Sequence, residues 1–141
     1  MFPQFPSQSA GVWTPSLTFA TPGDLVVTYN SRRGSYARYG DIVTLSFAIT
    51  TNTFTHSTAS GALQIQGVPF IVRGSDFFCG ALHWQGITKA NFTYVTARIG
   101  PNSPFFILLA SGSGQVASVI TTADMPSAGA VGLVGAIVYA V

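Results

Sequence analysis

From Trp13 onward, apolar and polar residues alternate with a period of two. In Asp41–Thr50, Val43, Leu45, Phe47 and Ile49 fall on one face, with Thr44, Ser46 and Thr50 on the other. In Phe92–Ile99, Val95, Ala97 and Ile99 alternate with Tyr94, Thr96 and Arg98. This pattern predicts half-buried strands. Further strands are predicted over Ser16–Ala20, Leu25–Asn30, Ser35–Tyr39, Ala62–Gln66, Phe77–Gln85, Phe105–Ala110, Gln115–Thr121 and Gly132–Val141. β-branched and aromatic residues fill them, as a pleated surface favours. Turn formers separate them: Pro22-Gly23-Asp24, Arg33-Gly34, Tyr39-Gly40-Asp41, Gly100-Pro101-Asn102 and Ser111-Gly112-Ser113-Gly114.

No stretch presents an apolar face at helical spacing behind a cap. Short strands at regular spacing predict an all-β sandwich or barrel, with a jelly-roll-like antiparallel β-sandwich the first choice at this length. Residues 1–12 read as an extended N-terminal arm, because Pro3 and Pro6 oppose regular ladder pairing. Residues 13–141 then form a single domain. The last strand is apolar on both faces, with Leu133, Ile137 and Tyr139 on one and Val134, Ala136 and Val138 on the other. That predicts burial on both sides, as in a central strand or one at a subunit interface.

Composition changes the picture in one respect. Of 141 residues, 48% are hydrophobic and only 7% charged, with mean hydropathy +0.43. Ordinary soluble domains carry about 25% charged residues. A surface so poor in charge is either coated with Ser, Thr, Asn and Gln or covered by partners, and an oligomer is the expectation. The net charge of +2 rests on six cations against four Asp. That is too thin for a nucleic-acid protein, which needs several phosphate contacts. The N-terminus lacks a signal-peptide pattern, and the apolar run Ala128–Val141 is too short to span a bilayer. No membrane role is expected.

Chemistry is sparse. The carboxylate side chains are Asp24, Asp41, Asp76 and Asp124, the first two in turn phrases and the others in loop-like stretches. Cys79 and His83 would share a strand face, but four residues along a strand span roughly 13 Å, beyond a hydrogen bond. One Cys and two separated His residues, His56 and His83, give no metal signature. The expectation is no enzyme, no metal and no cofactor. Two clusters are candidates for binding. Arg32, Arg33 and Arg38 lie among Tyr29, Tyr36 and Tyr39, a pattern that stacks on sugars or bases; its bland reading is a hairpin whose Arg stems cover Tyr rings. His83, Trp84 and Gln85 form a polar-tipped aromatic triplet that suits a glycan site, a core position or a subunit contact. Phe2, Phe5 and Trp13 are the candidate contacts to a partner.

Three phrases carry a family resemblance. Gly11-Val12-Trp13-Thr14-Pro15-Ser16-Leu17-Thr18-Phe19 resembles the G-x-W-T-P-x-L opening of small β-sandwich modules in tailed-bacteriophage virion proteins. Gly34-Ser35-Tyr36-Ala37-Arg38-Tyr39-Gly40-Asp41-Ile42-Val43 is similar to the G-x-Y-x-x-x-G-x-x-V phrase that follows it there, and Gly132–Val141 to the closing strand. The resemblance implies a virion-surface protein, often trimeric, of one of two kinds. One is a head decoration or cement protein, with the major capsid protein or other virion proteins as partners. The other is a distal tail-fibre or spike domain touching host surface glycans. The short arm, with no preceding shaft, places decoration first and the fibre module second as expectations.

Overall fold

The computed structural model describes residues 8–141. Phe2 and Phe5 lie outside them. The chain forms two antiparallel sheets packed face to face, the expected all-β sandwich. Its strands are β1 (Gln8–Trp13), β2 (Ser16–Thr21), β3 (Val26–Tyr39), β4 (Ile42–Thr55), β5 (Ser60–Gln66), β6 (Phe78–Gly80), β7 (Leu82–Gln85), β8 (Tyr94–Ile99), β9 (Phe105–Ser111), β10 (Ser118–Val119) and β11 (Gly132–Ala140). A 3-10 turn, Thr122–Asp124, precedes β11.

One sheet runs β1-β3-β4-β11-β7, and the other β2-β5-β9-β8-β6 with β10 paired to β9. Alternation decides which side chains enter the space between them. Leu45, Phe47 and Ile49 from β4 meet Phe106 and Leu108 from β9 and Leu63 and Ile65 from β5, all buried. Aromatic rings interlock at the centre. Trp13 stands edge-on to Phe47 and Phe106, with centroids 6.2 and 6.0 Å apart, and Phe19 edge-on to Phe54 at 5.8 Å. Such pairs add about 1 kcal/mol each beyond their buried area. At one end, Tyr139 is buried and donates its hydroxyl to the Phe70 carbonyl at 2.8 Å.

The structure departs from the sequence pattern at five places, one being Gln115–Thr121, where only Ser118–Val119 forms a strand. Residues 8–12, expected in the arm, are part of β1, which pairs with Gly34–Tyr39. Arg33-Gly34 is no turn: it lies inside one fourteen-residue strand, β3, whose irregularities fall instead around Tyr29. Phe77–Gln85 is not one strand, because the chain changes sheets at Ala81, so β6 and β7 belong to opposite layers. The closing strand is central, between β4 and β7, but is buried on its inner face alone. Val134 and Val138 remain 50% and 53% exposed.

Candidate binding surfaces

The sheet change at Ala81 separates Cys79 from His83. Cys79 is exposed on the sheet of β8, opposite Arg98, while His83 is exposed on the sheet of β11, opposite Val134. They lie on opposite layers, so no Cys–His pair forms. Among the described residues no cluster of His, Cys, Asp or Glu has metal-site geometry.

The carboxylates are spread over the molecule, and three are fixed by local partners. Asp24 accepts the Ser57 hydroxyl and the Ser57 and Thr58 backbone N–H groups, these last two at 2.8 Å. Those bonds, the Ser57 hydroxyl foremost, hold its carboxyl well below the usual aspartate range. Asp41 pairs with Arg73 at 3.3 Å on the surface. Asp124 is buried, accepting from Lys89 Nζ and the Thr121 N–H at 2.9 Å each. It closes the capping box of the 3-10 turn, a structural assignment that the loop reading missed; Thr121-x-x-Asp124 was its visible signal. Asp76 is exposed.

The arginine cluster is dispersed. Arg32 and Arg33 are neighbours on β3 and face opposite sides, and Arg38 lies further along the strand. Arg32 stacks over Tyr29 at 4.2 Å, and Tyr29 in turn accepts the Leu17 N–H at 2.8 Å. Arg38 lies over Phe70 at 5.2 Å and donates to the Gly40 carbonyl at 2.9 Å, while Tyr36 meets the same Phe70 edge-on. These contacts are the bland arrangement, stems and guanidinia laid on rings. The His83-Trp84 pair divides in the same way. Trp84 is half-buried against the core and edge-on to Tyr94 at 5.7 Å. Trp13 is corrected most plainly: it is buried, with Nε1 donating to the Ser35 and Ser46 carbonyls at 3.2 and 3.1 Å. It is a core residue, not a partner contact.

The most distinctive surface is the outer face of the β1-β3-β4-β11-β7 sheet, which sequence reasoning did not assemble. Register lines up its residues in rows. Gln8, Tyr39, Ile42 and Ala140 form one row; Ala10, Ala37, Thr44 and Val138 form the next. Val12, Ser35, Ser46 and Ala136 follow, with the two serine hydroxyls 2.6 Å apart. Arg33, Ala48, Val134 and His83 come next, and the polar row Ser31, Thr50, Gly132 and Gln85 ends the face. Among the described residues, Arg33 holds the one formal charge in these rows. Two grooves cross the face, one of about 600 Å³ bounded by Val12, Arg32, Arg33 and Val134, the other of about 510 Å³ bounded by Ala10, Arg38, Tyr39 and Ile42. The signal was present in the polarity of β11, whose second apolar face has no counterpart in the core.

No protein-family model matches the chain, and no curated protein matches it in sequence. Among solved structures, the chain is similar to part of the Dettilon tailspike protein (gp208), with a TM-score of 0.62 and 19% identity over 92% of its length. It spans 23% of that tailspike chain.

Proposed function

We propose that this chain is a structural module of a tailed-phage virion, belonging to a tail spike or tail fibre, and that it works by contact rather than by catalysis. The observation that carries this reading is the likeness of fold to a segment of a phage tailspike over 92% of the chain. The outer sheet face, with five large apolar side chains exposed and few charges, supports an assembly role. The scatter of Asp24, Asp41, Asp76 and Asp124 supports a non-catalytic one, since acid–base work needs groups converging on one bond. The module is expected to be homo-oligomeric, as a trimer, at the virion surface, with other virion proteins as neighbours and host glycans as the external ligand. Imaging of intact particles with an antibody to this chain tests the placement. Label at the tail tip supports the spike or fibre module. Label spread over the head lattice would sink it in favour of a decoration protein.

A further inference from the structure

We infer that the outer face of the β1-β3-β4-β11-β7 sheet is the surface through which one copy of this chain binds a second copy. This deepens the assembly reading above by naming its interface, and it rests on that reading only for the claim that copies associate.

Half of the large exposed apolar side chains among the described residues gather here. Val12 is 85% exposed, and Tyr39, Ile42, Val134 and Val138 are each about half exposed. Four strands about 4.8 Å apart and about 26 Å long give a projected area on the order of 500 Å², and more in accessible surface. That is the scale of one side of a standard interface, about 800 Å² per partner. The charge pattern selects the occupant. The rows hold one charge, Arg33, with Arg32 and Arg38 at the groove walls and no carboxylate, so the middle of the face offers no complementary charge pattern to a charged partner and can pack on its own copy. It also carries both halves of a packing contact. Val12 and Val138 project, while the two grooves recede. Small residues at Ala37, Ala48 and Ala136 keep the surface low, so a second sheet can approach to about 10 Å.

The test is self-association of the full chain by sedimentation equilibrium over a wide concentration range. Val134→Glu/Val138→Glu and, separately, Val12→Glu place carboxylates on the face, with Val116→Glu, exposed on the loop before β10, as control. Because the substituted positions are solvent-exposed, circular dichroism and melting should match wild type. The wild type and the control should be oligomeric. The face variants should show about a hundredfold rise in dissociation constant, since each would bury unpaired charge. Oligomeric face variants would overturn the surface and leave the assembly reading standing. A monomeric wild type would overturn both claims of self-association, whereas virion placement is decided separately by particle imaging. If an acidic variant unfolds, Val134→Cys in a Cys79→Ser background reads the same contact with a short bis-maleimide: a cross-linked dimer supports the face, and none overturns it.

Discussion

The Trp13 indole occupies the space a side chain at residue 34 would need: a Cβ on Gly34 would stand 2.7 Å from its Cε2 and Nε1. The two residues are paired across β1 and β3, so the sheet itself delivers the ring onto the glycine. Gly34→Ala must displace a ring that is buried and hydrogen-bonded to two carbonyls. Overpacking of this kind costs about 2 kcal/mol. Urea denaturation should show a lowered midpoint, and an unchanged midpoint would mean that Trp13 has room to move.

That pair also shows how far the chain could be read. Alternation revealed nearly every strand, because a half-buried strand must expose every second residue. It failed at Gly34, where glycine signals a turn by its backbone freedom but serves here by lacking a side chain. It failed again at Ala81, since a continuous alternating stretch gives no sign that its two halves pair in different sheets. The grouping of the candidate binding residues was hard to read for a related reason. Arg32 and Arg33 are adjacent in sequence and therefore point to opposite sides of β3, as do His83 and Trp84 on β7. The rows of the outer face unite residues far apart in the chain, and only the register brings them together.

Asp24 makes acid stability a test of the loop it anchors. Its folded-state carboxyl titrates below the ordinary value of 3.8, held there by Ser57 and Thr58. The unfolded chain therefore binds the proton first as pH falls. The contribution is fully present above about pH 4, and is lost as pH falls through the depressed folded value. Wild type should lose melting temperature steadily below pH 4, and Asp24→Asn should start lower and decline less. Parallel curves for the two proteins would contradict the assignment.

Lys89 and Asp124 pair at 2.9 Å with little exposure on either side chain. Removing Lys89 leaves a buried carboxylate short of its cation, and removing Asp124 leaves the Thr121 N–H unsatisfied and the ammonium with only the Val119 carbonyl. Asp124→Ala should cost about 3 kcal/mol. Lys89→Met should cost less, because its Asp retains the Thr121 bonds. A double-mutant cycle by chemical denaturation measures the coupling, and additive losses would argue against a direct pair.

Thr51 is buried, and its hydroxyl accepts the Val131 N–H at 2.8 Å while its own N–H donates to the Val131 carbonyl at 2.9 Å. This double contact ties β4 to the residue just before β11. Thr51→Val keeps shape but strands a buried N–H, for about 2 kcal/mol. Thr51→Ser keeps the acceptor and should lie near wild type. A Thr51→Val variant as stable as wild type would show that the hydroxyl's bond to Val131 contributes little.

Trp84 and His83 separate stability from surface function within one strand. Trp84 packs on the core and on Tyr94, so Trp84→Ala should cost about 2 kcal/mol, less than for a fully buried tryptophan. His83 is exposed beside Val134, so His83→Ala should leave the melting temperature unchanged. The comparison therefore has a clear direction. Thermal melts should rank Trp84→Ala well below His83→Ala. Equal stability of the two would place the indole at the surface and return it to the candidates for ligand contact.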